Sequence, residues 1–301
     1  MKIVIAGGNG YLGQKIASHY QKAHEVVVLT RGEAARRDGV KYVHWDAHSL
    51  DHWQSELEGA DVLLNLAGKS VNCRYTVANK REITASRVKS TRVLQGAIER
   101  CTQAPKLWMN ASSATIYRST MAASNDETSE VNPSNFSEHV CADWEAAFFE
   151  KSLPNTRKLA LRMALVLGNS GGVLPAYQQM VRQGLGGTQG SGKQYVSWVH
   201  ENDLLAILDF TIATNDLEGV VNCAAPQPVP NQNFMKAVRK AINVRFGLRV
   251  YTWMTGIGAF LKGTEKELIL KSRRVLSKTL AEKGFKFKFT HIDDALSDLA
   301  T

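Results

Sequence analysis

The sequence lacks the long hydrophobic runs that a membrane-spanning helix needs. Among its 301 residues, no apolar stretch approaches the ~18 residues required to cross a bilayer. The apolar segment KIVIAGG at residues 2–8 is too short for a secretory signal, and glycines end it at once. We therefore expect a cytoplasmic protein without a membrane partner.

Cysteines are few, and their spacing argues against two common uses. The sequence has no C-x-x-C pair and no paired histidines, and its four cysteines are scattered: Cys73, Cys101, Cys141 and Cys223. In a cytoplasmic protein this pattern predicts reduced, mostly buried thiols rather than disulfides or zinc. We expect no metal site.

No nucleic-acid-binding module accompanies the excess of basic residues. The formal net charge is +9, while 44% apolar and 22% charged residues are typical of globular proteins. Acidic residues separate most of the basic ones, and no segment interleaves aromatic and basic side chains as single-strand-binding proteins do. The excess predicts either attraction for phosphorylated small molecules or a solvated surface, and no nucleic-acid partner.

Short β-branched runs alternate with segments of helical periodicity through the first half of the chain. The predicted strands are residues 2–6, 24–31, 40–46, 61–68, 106–113 and 156–168. This alternation predicts an α/β fold with a Rossmann-type, doubly wound parallel sheet.

The regular alternation breaks after Gly168, where a glycine-rich insertion begins. We predict a dinucleotide-binding Rossmann domain over residues 1–168 that is completed by about 196–226. Residues 169–195 and 227–301 then form a smaller, mainly helical C-terminal substrate domain.

A glycine motif lies between the first predicted strand and the first predicted helix. Gly7 permits a tight turn, Gly10 lets the backbone approach a pyrophosphate, and Gly13 permits close packing of helix against strand. Tyr11 and Leu12 complete the loop, with Tyr11 packed near the pyrophosphate. This context favours dinucleotide binding over a plain turn.

The same helix carries Tyr11 and Lys15, which have the Y-x-x-x-K spacing of a catalytic pair. A catalytic pair must lie beside the nicotinamide, at the far end of the cofactor from this loop. We interpret the spacing as a coincidence and expect Lys15 to point to solvent or to follow the sheet edge.

Arg31 ends the second predicted strand, where an NAD-binding protein places an acid for the ribose 2′-hydroxyl. An arginine can pair with a 2′-phosphate, which an acid would repel. Arg36 and Arg37 add positive charge, Glu33 dilutes it, and the alternative is a solvated loop. The pattern predicts NADP(H) as the cofactor.

These motifs resemble the extended short-chain dehydrogenase/reductases, the NAD(P)-dependent epimerase/dehydratase family. The matching stretches are GGNGYLG, NLAG, NASSATIY and SWVHENDL. A subgroup of uncharacterised "epimerase family" proteins with a C-terminal domain of unknown function is more similar still, through SR, WEAA, LRMALVLG, GLGGTQGSGKQ and the closing GFKFK. The resemblance spans essentially the whole chain.

The resemblance implies further site residues. By this likeness Asp46 meets the adenine, and the subgroup's Ser-Arg pair adds Arg87 to the cofactor site. Three residues are expected to line the nicotinamide ribose: Leu66, Ala67 and Gly68. Ser112 or Ser113 would orient a substrate hydroxyl or carbonyl, Ser113 being the closer match, although both could simply cap a strand end. Ser112 is also expected to border the cofactor.

The family's own Y-x-x-x-K pair has no counterpart at the expected place. The segment NFSEHVCADWEAAFF carries Ser137 where the tyrosine is expected and Cys141 where the lysine is expected. The pKa of a serine hydroxyl is far too high for the acid–base role of the tyrosine. A neutral cysteine thiol also cannot lower that pKa as the lysine does. Tyr117 is the best replacement acid–base candidate, with packing beside the cofactor as the alternative. Weaker candidates are Glu138, His139, Asp143 and His200.

Two functions remain open. One is an NADP(H)-dependent oxidoreductase or epimerase with rearranged catalytic groups, acting as a monomer or homodimer on a small molecule. The resemblance implies a sugar nucleotide. The other is a catalytically silent NADP(H)-binding sensor or regulatory protein.

The C-terminal half offers two candidate anion sites. Backbone amides of the glycine-rich segment 184–194 could wrap an anionic ligand, with Lys193 and Arg162 nearby. Arg273 and Arg274 could bind a diphosphate. The alternatives are a flexible lid and an exposed helix face.

Overall fold

Residues 1–121, 123–251 and 271–300 are described by a computed structural model of the chain. The elements of the first half are β1 (Lys2–Ala6), α1 (Tyr11–Tyr20), β2 (Glu25–Thr30), β3 (Ala35–Arg37), β4 (Val40–His44), β5 (Val62–Asn65), α2 (Val77–Ile98), β6 (Leu107–Ser113), α3 (Phe136–Phe149) and β7 (Arg157–Met163). Two 3-10 helices, His52–Leu57 and Ala114–Ile116, join this set.

Shorter elements follow. They are β8 (Leu165–Leu167), α4 (Leu174–Arg182), β9 (Tyr195–Val196), β10 (Trp198–His200), α5 (Glu201–Ala213), β11 (Gly219–Cys223), β12 (Val229–Pro230), α6 (Asn231–Ala241), α7 (Lys278–Glu282) and α8 (Ile292–Asp298). The predicted mainly helical character after residue 227 holds for α6, α7 and α8, while residues 252–270 of that prediction lie outside the described residues.

The central sheet has eight strands in the order β11-β7-β6-β5-β1-β2-β4-β3. Every neighbouring pair is parallel except β3 and β4. The chain runs outward from β1 to β2 and β4, then returns to the other side of β1 through β5. The predicted Rossmann-type fold is confirmed, and its topological switch point lies at β1, where dinucleotides bind in such sheets.

Two predicted segments differ from the structure. The single strand predicted over 156–168 is divided at Ala164, because β7 pairs with β6 and β11 whereas β8 pairs with β10 in a separate two-stranded sheet. The segment around Arg36 and Arg37, treated as a loop from the sequence, forms the antiparallel edge strand β3. An apolar run does not reveal where a strand changes partners, since both halves are buried against other strands.

Helices cover both faces of the sheet. One hydrophobic cluster joins β1, β2, β6 and β7 to α1 and α5, and a second joins the opposite face to α2 and Phe148 of α3. A third cluster unites α4, α6 and residues 289–299. The division into two domains stays a prediction, and the third cluster corresponds to the part assigned to the smaller one. None of the helices in the described ranges is long and apolar enough to cross a membrane.

Candidate active site

The glycine loop between β1 and α1 is closed by contacts that only glycine permits. Gly7 has a φ of +77°, and a Cβ there would lie 2.7 Å from Cα of Ala67. A Cβ at Gly13 would lie 2.4 Å from Cα of Gly8. Gly10 caps α1 without a side-chain hydrogen bond, and a Cβ there would meet nothing within 4 Å. The uncapped helix start faces open space, as an anion-binding loop requires.

Arg31 follows β2 at the edge of this loop. Thr30 before it is buried, and its hydroxyl accepts hydrogen bonds from Asn9 Nδ2 at 2.6 Å and from the amide of Gly32 at 3.0 Å. Arg31 and Arg36 are both exposed, and no carboxylate in the described ranges forms an ion pair with either. Two exposed cations therefore lie near the end of β2, with Glu33 as the nearby acid in the sequence and no ion pair to it in the described ranges.

Asp46 is exposed, and its carboxylate caps the turn that follows β4. It accepts hydrogen bonds from the amides of His48 at 2.8 Å and Ser49 at 2.9 Å, and from the Ser49 hydroxyl. The Ser49 contacts and the His48 amide lower the pKa of Asp46 to about 2. The carboxylate is therefore charged and fixed in place, while its contact with an adenine stays a prediction.

The loop after β5 meets both the glycine loop and α2. The amide of Leu66 donates to the carbonyl of Ala6 at 2.8 Å, and Ala67 contacts Gly7. Gly68 leaves room for the side chain of Arg87, which would lie 3.1 Å from a Cβ at that position. The predicted residues 66–68 and Arg87 are therefore contiguous with the glycine loop.

Arg87 is held by backbone carbonyls rather than by an acid. Its Nη1 donates to the carbonyls of Lys69 and Ile83, each at 3.0 Å, and its guanidinium lies 5.1 Å from the centre of the Trp144 ring. Burial lowers the pKa of Arg87, a shift opposed by electrostatic interactions with Cys141 and Tyr75. The side chain ties α2 to the loop after β5 and reaches α3.

Ser112 and Tyr117 belong to a buried hydrogen-bonded network. Ser112 donates to Glu145 Oε1 at 2.5 Å, and Arg162 pairs with both oxygens of Glu145 at 2.9 and 2.7 Å. Arg162 Nη1 donates to the Tyr117 hydroxyl, which donates to Asn222 Oδ1, both at 2.9 Å. Burial raises the pKa of Tyr117. Proton transfer by Tyr117 stays a prediction, and these contacts favour the packing alternative.

Ser113 lines a cavity that Ser112 and Tyr117 do not reach. Its hydroxyl donates to Thr115 Oγ1 at 3.0 Å and accepts from the Thr115 amide at 3.1 Å. The cavity lies beyond the ends of β5 and β6, between α2 and α3, and is also lined by Val71, Tyr75, Ile83, Arg87, Thr115, Phe136, Ser137, Val140, Cys141 and Trp144.

The two residues expected in place of the catalytic pair both face this cavity from α3. Ser137 Oγ lies 3.5 Å from the Tyr75 hydroxyl, and the Tyr75 ring meets Phe136 edge-on at 4.9 Å. Burial raises the pKa of the Cys141 thiol to about 12. The thiol is therefore neutral at physiological pH.

The weaker acid–base candidates lie elsewhere. Glu138 is fully buried, and although burial alone would raise its pKa, hydrogen bonds from Ser134 and Asn135 hold it below its ordinary value. His200 is fully buried, caps α5 by accepting from the Asn202 amide at 3.0 Å and stacks on a phenylalanine ring. Burial lowers the His200 pKa to about 4. His139 and Asp143 are exposed.

Tyr11 and Lys15 brace the glycine loop against the second half of the chain. A Cβ at Gly168 or Gly171 would overlap the Tyr11 side chain, so the ring lies directly on that turn. Lys15 Nζ lies 2.9 Å from Oε1 of Glu201, which is only 3% exposed. The expectation that Lys15 points to solvent is wrong, because a buried carboxylate needs a nearby cation. Glu201 opens α5, and His200 before it is the N-cap of that helix.

The two anion sites predicted in the C-terminal half are wrong as stated. The amides of Gly187, Gly190 and Gly192 each donate to carbonyls of the chain itself, and the Gln189 amide donates to the Asn231 side chain. Arg162 is buried and paired with Glu145, so its charge is already neutralised by that carboxylate.

Arg273 and Arg274 do not act as a pair, because consecutive residues of an extended segment point in opposite directions. Arg273 Nε donates to the carbonyl of Tyr117 at 3.1 Å and Nη2 approaches Glu138 at 3.4 Å, while Arg274 lies over the Tyr195 ring.

Several residues of the site escaped sequence reasoning. Glu145 lies in the WEAA motif, which was recognised as a likeness without a role for its acid. No motif or spacing in the sequence marks Tyr75, Trp144 or Glu201 as a site residue. No group of three histidine, cysteine or acidic residues that could hold a metal occurs in the parts of the chain that the structure describes.

Comparison with known proteins finds family models and a relative that match this chain. Residues 3–224 match the model of the NAD dependent epimerase/dehydratase family, and residues 257–299 match a domain of unknown function, DUF1731. An epimerase family protein of Staphylococcus saprophyticus is 31% identical over 98% of both chains.

Solved structures show the same likeness. The human epimerase family protein SDR39U1 (isoform 2), solved with NADPH, superposes with a TM-score of 0.89 at 26% identity over 100% of this chain and 99% of that one. A nucleoside-diphosphate sugar epimerase from Corynebacterium glutamicum gives 0.79 at 27% identity, covering 100% of this chain and 58% of that one.

Proposed function

Because the chain belongs to the NAD-dependent epimerase/dehydratase family, we propose that it is an NADP(H)-dependent oxidoreductase or nucleoside-diphosphate-sugar epimerase-like protein that works without the usual Tyr-x-x-x-Lys pair. The observation that carries the proposal is the glycine loop. Side chains at Gly7 and Gly13 would collide with backbone, so the loop is built for close approach to the helix start.

The choice of NADP(H) over NAD(H) rests on Arg31 and Arg36. Both are exposed cations at the carboxyl end of β2 and on the edge strand, without a local acid partner in the described ranges. A 2′-phosphate adds negative charge that such a pair attracts, whereas NAD(H) offers only a hydroxyl. The human relative solved with NADPH supports the same choice.

The proposed roles follow from position. Residues 66–68 touch the glycine loop and would border the nicotinamide half of the cofactor, which supplies or accepts a hydride when bound. Ser113 faces the adjoining cavity and would orient a substrate oxygen through its hydrogen-bonded partner Thr115. Ser112 instead fixes Glu145 behind the strand.

A catalytically silent NADP(H)-binding protein is the second candidate. It is favoured by Ser137 and Cys141, since neither a serine hydroxyl nor a thiol with a pKa of about 12 can replace the tyrosine and lysine of the family. The two candidates share the cofactor and differ only in turnover.

Titration of the purified protein with NADPH and NADH tests the cofactor. We expect NADPH to bind more tightly than NADH. Arg31→Asp should lower the affinity for NADPH by about 10- to 100-fold, because one charged contact with the phosphate is lost. Arg245→Asp removes an exposed arginine of the C-terminal part and serves as the control. Equal affinity of wild type and Arg31→Asp for NADPH would contradict the assignment.

Turnover separates the two candidates. The protein is incubated with NADPH and a panel of ketones, aldehydes and uridine-diphosphate sugars, and cofactor oxidation and sugar products are followed. Conversion of any member supports the enzyme, while tight NADPH binding without conversion of any of them supports the silent form.

A further inference from the structure

The cavity between α2 and α3 has mainly apolar and aromatic walls. Its apolar members are Val71, Ile83, Phe136, Val140 and Trp144. No carboxylate or carboxamide side chain lines it within the described residues. These are the groups that hold the hydroxyls of a sugar, since each can accept or share several hydrogen bonds.

Several polar groups of the cavity already bond to each other or to backbone. Ser113 and Thr115 bond to one another, and Arg87 Nη1 bonds to two carbonyls. Tyr75 and Ser137 approach at 3.5 Å. A sugar placed here would find few acceptors for its own hydroxyl protons, at a cost of about 1–3 kcal/mol for each buried group left unpaired.

Thr115 provides a hydroxyl donor for a ligand. Thr115 Oγ1 accepts from Ser113, so its own proton is available to a single ligand oxygen. The arrangement of one hydroxyl donor beside aromatic walls matches one carbonyl oxygen on a flat ring. It does not match a ring that carries many hydroxyls.

Aromatic faces and edges dominate the same walls. Tyr75 and Phe136 meet edge to face, and the Arg87 guanidinium lies over the Trp144 ring. Such walls favour a planar ligand, because aromatic pairs gain from offset or edge contacts beyond the burial of apolar area. The small side chains Ser137 and Cys141 leave the space open on the α3 side.

We propose that this cavity binds the flat aromatic part of a substrate that carries one carbonyl or hydroxyl oxygen, an aryl ketone or its alcohol, rather than a sugar ring. The proposal rests on the proposed function, and it selects the oxidoreductase form over the epimerase form. Thr115 donates to the oxygen of the ligand, and Ser113 orients Thr115.

The test uses acetophenone and 1-phenylethanol as probes and UDP-glucose as the competitor. Binding to the full-length protein is followed by ligand-observed NMR and tryptophan fluorescence, with and without saturating NADPH. We expect both probes to bind in either condition and UDP-glucose not to displace them. Displacement of the probes by NADPH would assign the cavity to the cofactor and overturn the proposal, as would displacement by UDP-glucose.

Two variants locate the binding. Ser137→Leu fills the cavity and is expected to weaken both probes by at least about tenfold, the loss of roughly 1.4 kcal/mol. Ser18→Leu makes the same change on the exposed side of α1 and should leave binding unchanged. Equal probe affinity in wild type and Ser137→Leu would overturn the proposal.

Val140→Ala provides a second test that does not depend on whether Ser137→Leu folds. It enlarges the cavity, so 2-acetylnaphthalene should bind the variant more tightly than the wild type. No gain for the larger ketone would overturn the proposal. NADPH titration of each variant is read separately: intact NADPH binding with no probe binding rejects this cavity alone, and absent NADPH binding in the wild type rejects the proposed function.

Discussion

Removing the hydroxyl of Tyr117 separates a packing role from a catalytic one. In Tyr117→Phe the ring is kept, but Arg162 Nη1 loses its acceptor and Asn222 Oδ1 loses its donor, both of which lie 2.9 Å away. Tyr117 and Asn222 are fully buried and Arg162 is 5% exposed, so water cannot readily replace the lost partner.

The expected loss follows from these two contacts. A hydrogen bond to a charged group contributes about 1.5–3 kcal/mol and a neutral one about 0.5–1.5 kcal/mol. We therefore expect Tyr117→Phe to lower the free energy of unfolding by about 2–4 kcal/mol. For a chain of this size that is a fall in Tm of roughly 4–8 °C.

Urea unfolding followed by circular dichroism measures the loss, and NADPH titration and turnover are read on the same preparation. Tyr177→Phe is the matched control, because its ring packs on Phe234 while its hydroxyl forms no hydrogen bond in the described ranges. We expect NADPH affinity and turnover to be little changed by Tyr117→Phe. Unchanged stability together with a fall in turnover of about 100-fold or more would refute the packing role and make Tyr117 the acid–base group.

Three further predictions concern buried charge and titration. Lys15→Met should lower the free energy of unfolding by about 1–2 kcal/mol, because it strands the Glu201 carboxylate, and adding Glu201→Gln should restore most of the loss; a purely additive double variant in urea unfolding would contradict the pairing. His200 has its pKa lowered to about 4 by burial, so the unfolded chain takes up the proton first and stability falls as pH drops from about 6.5 towards 4. His200→Asn, which keeps a capping oxygen, should abolish a loss of roughly 2 kcal/mol between pH 7 and 5, and equal pH profiles in urea unfolding would count against it. Buried Cys141 and Cys223 should stay unmodified by a thiol reagent in the native protein and react only after unfolding, which absorbance titration of the released thiolate measures.

The parallel sheet and the glycine loop could be predicted from the sequence because both depend on local patterns. Alternating runs of apolar residues report burial on two faces, and Gly7 and Gly13 report contacts within a few residues of the same turn. The position of Arg31 just after β2 could be predicted for a similar reason, since it is counted from the loop, while its contact with a cofactor stays a prediction.

The rest of the site depends on contacts that the sequence does not reveal. Lys15 and Glu201 are 186 residues apart, and Tyr117 and Asn222 are 105 apart. Their residue types are as common on surfaces as in networks, so only the fold shows that they meet. Ser112 illustrates the consequence: the likeness left Ser112 and Ser113 as alternatives for orienting a substrate, and only the fold shows that the Ser112 hydroxyl donates to buried Glu145.

The division of one predicted strand at Ala164 has a consequence for folding. The amide of Ala164 still bonds to Cys223 in the main sheet, and the next amide, of Leu165, bonds to Ser197 beside β10. A single peptide unit thus joins two hydrogen-bonded ladders. The smaller ladder packs on both sides, with Val166 and Val199 in the cluster of the main sheet and Leu167 and Trp198 in the third cluster. Loss of hydrogen bonds in the smaller ladder directly affects the end of β7, so we expect the two ladders to unfold in one cooperative transition. The junction at Ala164 is therefore a poor place to divide the chain.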